Sequence, residues 1–525
     1  MNNNGNPAIL KSLIAYAVCV PVAVFVGYML ASETQVSSAS SNWVWNIFEL
    51  VYAHPIAWGS LALLMLSPLL LRWHHFLLVA SWNVVMVLFF LPGSPQPWLP
   101  MVALSLGISL LYRALNSKAH FISAPQVTRP LIFLAAVVIF TAEMTGGIGL
   151  RVFHSDVMGG KRYIFILMAI LGYFAMTAQR IPPERAMLYV MFYFLGGFTM
   201  VIGDTANIMP TFLYFIFQLF PASGYTFGSY ARFGGVSGMA AFGFWLMLAR
   251  YGVRGLFLSG KPWRLLVFFL FAISLFLGGF RSVIIESGMV FFILFFMERM
   301  QQTKLLPMFI FVGMFMAVLS VPFADKLPYT FQRSLSFLPL KLNSMAEQDA
   351  EGSTDWRLKI WEGVLPEVPG HLLLGKGYAI TEEDYRYMSG NTGYISAEES
   401  GSALAGDYHN GPLSVILPLG IWGVIAFLWF LIAAGRALHA NFRYGDPALR
   451  TVNTFLFASF VTKSIMFFIV FGSLYSGLAT FTGLIGLSIS LNGGIRRLAD
   501  VPVQKEAETK IHAPVRPRLL PFYQP

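Results

Sequence analysis

Apolar residues dominate this chain in blocks, and polar residues are confined to short intervals between them. About fourteen blocks are legible, near 8–30, 47–71, 76–91, 99–112, 130–146, 163–178, 187–203, 235–250, 265–280, 282–298, 305–323, 411–433, 452–473 and 478–491. Blocks of about 17–25 apolar residues match a helix crossing a hydrocarbon core of roughly 30 Å. Alternating strands of about ten residues, the mark of a membrane barrel, are absent from the pattern. The expectation is an all-α polytopic membrane protein. The first block, Ala8 to Leu30, has Lys11 as the sole basic residue at its start and is read as a span. It is long for a leader's apolar region, and Ser32-Glu33-Thr34 is a poor cleavage context. The stretch 211–221 is too short to cross and reads as a re-entrant or interfacial piece.

The polar intervals set the expected orientation. Basic residues follow every even-numbered block: Arg72; Arg113, Lys118 and Arg129; Arg180 and Arg185; Arg250, Arg254, Lys261 and Arg264; Arg299 and Lys304; Arg436, Arg443 and Arg450; Arg496 and Arg497. Intervals 32–46 and 92–98 contain neither Lys nor Arg. Short cytoplasmic loops carry the Lys/Arg excess, so both termini are expected in the cytoplasm and the long interval 324–410 outside. The division is then 1–323 for helices 1–11, 324–410 for a large, partly helical periplasmic loop, 411–495 for helices 12–14, and 496–525 for a polar, disordered cytoplasmic tail. The loop holds seven Lys/Arg against thirteen Asp/Glu. Within it, Ser353-Thr354-Asp355 reads as the cap of a helix over WRLKIWEGVL, stopped by Pro366, Pro369 and Gly370, and Gly375-Lys376-Gly377 reads as a turn.

Composition agrees. Of 525 residues, 56% are hydrophobic and 11% charged, with a mean hydropathy of +0.65. Soluble domains carry roughly 25% charged residues, so lipid must solvate most of this surface. The net charge of +10 is spread over short loops and is no nucleic-acid signal. Cys19 is the sole cysteine, which excludes an intramolecular disulfide.

Charges that break the orientation pattern are the candidates for chemistry. Arg151, Lys161 and Arg162 follow the fifth block, and snorkelling to lipid phosphates accounts for them. Arg232, in YARFGG, and Arg281, in LGGFRS, sit at outer entrances beside glycines that allow close approach. Arginine pairs bidentately with phosphate. His409, in GDYHNG, lies at the lip of the twelfth block, where an imidazole can take a proton from a hydroxyl or merely anchor the helix. Arg357 and Trp361, four apart, share a helix face. They form either a structural cation–π pair or a surface for a sugar phosphate and its ring. Glu143, Glu286 and Lys463 lie within spans, where charge is costly, and a Glu286–Lys463 pair across helices is the structural reading. No Gly-rich nucleotide loop, zinc spacing or DxD-like metal pair stands out.

HNGPLSVILPLGIWG resembles the signature of the O-antigen ligase and Wzy-type polymerase family: His, then Asn, Ser or Gln, nine residues, Gly, two residues, and a small or aromatic residue. Here these are His409, Asn410, Gly420 and Gly423. RFGGVSGMAAFGFWLML with Arg232, GGFRSVII with Arg281, and DWRLKIWEGVL…LLGKGY with Arg357, Trp361, Gly375 and Gly377 are also similar to family segments, over about residues 225–430. The resemblance implies a GT-C-like membrane glycosyltransferase of the bacterial inner membrane, without nucleotide sugar, metal or other cofactor. Its donor would be a glycan on undecaprenyl pyrophosphate. Its acceptor would be another lipid-linked repeat unit (a polymerase for exopolysaccharide or O-antigen, with a chain-length-regulating co-polymerase as partner) or lipid A–core (a ligase). Chain length leans to the polymerase. In these roles Arg232 and Arg281 would stabilise the leaving pyrophosphate and His409 would activate the acceptor hydroxyl. Arg357 would hold the diphosphate or donor sugar, Trp361 would stack on a sugar ring, and Asn410 would fix the imidazole or bind a sugar hydroxyl. A lipid-linked glycan transporter would instead show related halves and a midplane site, and a SEDS-type polymerase lacks the His-Asn signature.

Overall fold

The computed structural model describes residues 55–91, 93–116, 120–146, 160–222, 225–227, 230–379 and 407–497, with Tyr16, Val20 and Ala23 as isolated positions. The expected span 8–30 apart from those three positions, the start of the next, Arg151 and the tail after 497 lie outside that set. Among the described residues the fold is helical apart from one two-stranded antiparallel ribbon, β1 (Tyr225–Phe227) and β2 (Tyr230–Arg232), in which Tyr225 faces Arg232.

The principal helices are α1 (Pro55–Ser81), α2 (Trp98–Leu115), α3 (Pro125–Met144), α4 (Lys161–Thr177), α5 (Ala186–Leu195), α6 (Gly234–Phe257), α7 (Pro262–Ser274), α8 (Arg281–Met297), α9 (Leu305–Ser320), α10 (Tyr329–Ser334), α11 (Ser344–Val364), α12 (Gly411–Tyr444), α13 (Arg450–Ile465) and α14 (Leu474–Asn492). Seven helices among the described residues are long and apolar enough to cross a membrane, α5 counting with its flanking turns as Pro183–Asp204. Two more, Pro262–Gly278 and Leu305–Phe315, are apolar but shorter. The protein is thus an integral membrane protein, and the described residues do not confirm all of the fourteen spans expected. One reason is local. The blocks 47–71 and 76–91 are not two spans: α1 runs unbroken through Arg72, and residues 83–91 are not helical. Hydropathy alone does not distinguish a helix from a buried irregular segment.

α14 is the central helix, packed on α4, with 72% of its apolar window buried against 28% for α2. α12 packs along α3, and α6 against α7, α8 and α13. Phe427, Phe430, Phe455, Tyr163 and Tyr173 lie in the shared core. Three asparagines clamp the last three helices at one end: Asn453 Nδ2 donates to Asn492 Oδ1 at 3.0 Å, Asn492 Nδ2 to Asn453 Oδ1 at 2.9 Å, and Asn441 Nδ2 to Ser488 Oγ at 3.0 Å. Buried away from water, these amides satisfy one another.

Two long helices are broken at a left-handed glycine, and in both the freed backbone groups find partners. In α6, Gly252 has φ 63°, and the Glu298 carboxylate accepts the N–H groups of Val253 (3.1 Å) and Arg254 (2.8 Å). In α12, Gly420 has φ 63°. There the N–H groups of Lys376 and Gly377 donate to the carbonyls of Leu417 (2.7 Å) and Pro418 (2.9 Å), and the Ile421 N–H donates to Leu372 O at 2.8 Å. The Gly375-Lys376-Gly377 turn, with both glycines at positive φ, therefore plugs the break in α12. Gly420 of the His-Asn signature is there for this docking.

Candidate active site

Four arginines converge at the end of the bundle opposite the asparagine clamp. The ribbon delivers Arg232. The Phe233 N–H donates to Leu277 O at 3.1 Å, holding the ribbon's exit to the α7–α8 hairpin. Arg232 Nε donates to Gly278 O at 3.2 Å, and its guanidinium lies 4.7 Å from the Phe280 ring centre. Gly279, at φ 67°, reverses the chain so that Arg281 opens α8. Arg281 Nη2 then donates to Ala350 O (3.0 Å) and Thr354 Oγ1 (3.2 Å) on α11. The short helix α10 contributes Arg333. Its Nε lies 2.5 Å from Asp349 Oδ2, Nη2 donates to Ser353 Oγ at 2.9 Å, and Nη1 donates to Gly279 O. Arg357, two turns along α11 from Asp349, has a buried Nε without a hydrogen-bond partner.

These side chains line a cleft of about 490 Å³, closed on another side by Trp356 and Phe471. Asp349 is the carboxylate behind that lining. It pairs with Arg333 and stands 4.0 Å from Arg232 Nη1. Burial alone would raise its pKa, yet hydrogen bonds from Tyr329 and Arg333 and the charges of Arg333 and Arg232 hold it below the usual carboxylate range. Burial, and then the charge of Arg333, lower the pKa of the Arg357 guanidinium. Four guanidinium groups against one carboxylate leave a surplus of positive charge in a partly dehydrated pocket, where Coulombic forces act at reduced dielectric.

His409 stands against the cleft wall. Its ring centre lies 4.8 Å from that of Trp356 and 6.2 Å from that of Phe471. The backbone is left-handed, φ 47°. Nδ1 is buried, 3.9 Å from Asp407 Oδ1 and beyond hydrogen-bond reach. Burial lowers the imidazole pKa below its ordinary value. Asp407 opposes that shift and Arg357 reinforces it. A neutral imidazole beside guanidinium groups is equipped to accept a proton.

The other expected residues divide. Asn410 caps α12, its side chain accepting from the Leu413 N–H at 3.1 Å. Trp361 donates Nε1 to Tyr408 O at 2.8 Å and packs with Ile360, Val364, Leu413 and Leu417. It holds the segment that carries His409 and does not line the cleft; the tryptophan that lines it is Trp356. The cap assigned to Ser353-Thr354-Asp355 is corrected: α11 begins three turns earlier, capped by Asn343 (Met345 N–H, 2.9 Å), and Ser353 and Thr354 serve the arginines. Arg162 donates to Tyr378 O at 3.4 Å and turns inward. Glu286 pairs with Lys463 at 2.6 Å, as expected, and Glu143 is exposed. Sequence reasoning missed Arg333 and Asp349, whose only signal was a charge in the long acidic interval 324–410. Among the described residues no group of three or more His, Cys, Asp or Glu gathers around a common point.

Residues 266–428 match the family model described as O-antigen ligase, and the stretch carries that family's domain. It includes Arg281, Arg333, Asp349, Arg357 and His409, and leaves Arg232 outside. No curated protein matches the chain at a significant level.

Proposed function

We propose that, with this domain at its centre, the protein is a glycosyltransferase. It moves a glycan from undecaprenyl pyrophosphate to a sugar hydroxyl at the outer face of the bacterial inner membrane. The observation that carries the reading is one cleft lined by four arginines, with a single aspartate paired to them from behind and a neutral His409 against its wall. The acceptor hydroxyl loses its proton to His409 Nε2, the ring nitrogen not turned to Asp407. Its oxygen bonds to the anomeric carbon as the bond from that carbon to the pyrophosphate oxygen breaks. The lipid pyrophosphate leaves with the electron pair, and Arg232, Arg281, Arg333 and Arg357 hold the charge that develops. Arginine clusters can supply this stabilisation electrostatically.

Transfer to a second lipid-linked repeat unit, making the protein a polymerase served by a chain-length-regulating co-polymerase, is the reading we adopt. The family description favours a second reading, transfer to lipid A–core. The test is purified protein in nanodiscs with undecaprenyl-pyrophosphate-linked oligosaccharide, alone and with lipid A–core. Ladders from the donor alone establish the polymerase, and product only with lipid A–core establishes the ligase. His409→Ala and Arg281→Ala, each checked for folding, are expected to lose about 100-fold or more in turnover. Full activity in either removes that residue from the chemistry.

A further inference from the structure

The end of the bundle opposite the arginine cleft holds a cavity that the reaction above leaves unused. Its volume is about 570 Å³, larger than the cleft. The asparagine clamp builds it. The Gly445 N–H and Asn453 Nδ2 donate to Asn441 O at 2.9 and 3.1 Å, and the Arg496 N–H donates to Asn441 Oδ1 at 2.9 Å. One asparagine therefore fastens the turn after α12, the first turn of α13 and the chain beyond α14 around the same space. Three arginines line that space from these elements: Arg443 in the last turn of α12, Arg450 at the start of α13 and Arg496 beyond α14. Gly445, where a Cβ would meet the Asn453 and Asn492 side chains, lets the turn close onto the clamp.

Asp446 is the sole acid among the lining residues, and its carboxylate accepts the Ala448 N–H at 2.8 Å. Glu298, whose charge also reaches Arg450, lies outside the lining and accepts from the Val253 and Arg254 N–H groups. Among the described residues no carboxylate stands within ion-pair distance of Arg443, Arg450 or Arg496. Arg496 Nε is moreover buried without a hydrogen-bond partner, a state that costs free energy until an acceptor arrives. Three guanidinium groups against one carboxylate leave two surplus positive charges, which fit a ligand with two negative ones. Guanidinium groups pair bidentately with phosphate oxygens, and basic pockets between membrane helices take the phosphates of anionic lipids. Phe442 and Tyr444 in the same lining offer ring surface of the kind that sits at headgroup level. We propose that Arg443, Arg450 and Arg496 form a second anion site, which binds two phosphate charges carried by an anionic phospholipid headgroup or by a soluble phosphate compound. The site stands whatever reaction the cleft performs.

The test is a binding titration on the purified full chain in a zwitterionic detergent. The probes are diphosphatidylglycerol, phosphatidylcholine and inorganic pyrophosphate. Wild type is compared with Arg443→Gln, Arg450→Gln and Arg496→Gln. Arg281→Ala reports on the arginine cleft, and Arg113→Gln, in the last turn of α2 and outside the cavity, reports on unspecific attraction. Wild type is expected to bind diphosphatidylglycerol. Each cavity variant is expected to weaken that binding about ten-fold or more, as loss of a charged hydrogen bond does. Arg281→Ala and Arg113→Gln stay within about two-fold of wild type. Arg443 and Arg450 are exposed, so their variants decide if Arg496→Gln fails to fold. Binding of the lipid alone assigns the headgroup as the source. Pyrophosphate binding with the same dependence on Arg443 and Arg450 assigns a soluble phosphate compound. Cavity variants that bind like wild type overturn the site, as does phosphatidylcholine binding as tightly as the dianionic lipid. Affinity lost only in Arg281→Ala places the anion in the cleft and overturns it as well, and so does a wild type that binds neither phosphate probe.

Discussion

His409 holds a left-handed backbone conformation that costs a residue with a Cβ roughly 1–2 kcal/mol, and it is fixed by Asp407 before it and the Asn410 cap after it. Strain of this kind persists where surrounding contacts over-determine a residue, as they do at working sites. The depressed imidazole pKa has a direct consequence. Above the ordinary value near 6.5 the base is neutral. Protonation disables it only once pH falls through the folded-state pKa, which lies lower. The acid limb of kcat/KM is therefore expected below pH 6.5, and Arg357→Gln, which removes a repelling charge, moves that limb upward. A wild-type limb above 6.5 contradicts this account. At this scale the sequence was informative wherever a residue broke a pattern. Arg232, Arg281 and His409 stand at the edges of apolar blocks where the expected orientation predicts no charge, and the fold brings them to one end. Arg333 and Asp349 break no pattern. They are ordinary charges in an acidic loop, and only the docking of α10 beside α11 makes them a pair.

Among the helices, the least legible feature is also the most constrained. A chain reading PLGIWG suggests continuous apolar helix, and nothing in its periodicity announces the break at Gly420. There, positive φ coincides with contact: a Cβ would come within 2.6 Å of Leu373 O. Gly420→Ala is expected to cost about 2 kcal/mol or more from backbone strain and lost docking. It should release the 372–377 segment, read as a lower melting temperature and faster proteolysis there. Wild-type resistance in a folded variant would show that the turn docks without the break. α11 misled in the other direction. Ser and Thr favour caps because their hydroxyls compete for backbone groups. Here Ser353 and Thr354 bond back to Asp349 O (3.0 Å) and Ala350 O (3.2 Å) within the helix, while Ser353 Oγ also accepts from Arg333 and Thr354 Oγ1 from Arg281.

Across the whole molecule, the residues expected outside and those expected inside do gather at opposite ends, with the arginine cleft at one and Arg443, Arg450 and Arg496 around the other. The number of crossings was less legible, because apolar blocks such as 83–91 fold without forming a helix. The orientation is open to direct measurement. In a background lacking Cys19, Gly352→Cys on α11 is expected to react with an impermeant maleimide on spheroplasts, and Ala448→Cys only after permeabilisation. The opposite result would invert the proposed topology and place the cleft in the cytoplasm. The charge surplus of the cleft also reaches past the bond-breaking step. A glycan-linked pyrophosphate is a diester, whereas the released lipid pyrophosphate has a free terminal phosphate and more negative charge. On the proposed reaction, a cavity that stabilises departure grips the spent carrier harder than the loaded one. The spent lipid competes with fresh donor. Steady synthesis then depends on a hydrolase that strips the terminal phosphate and returns the carrier to use.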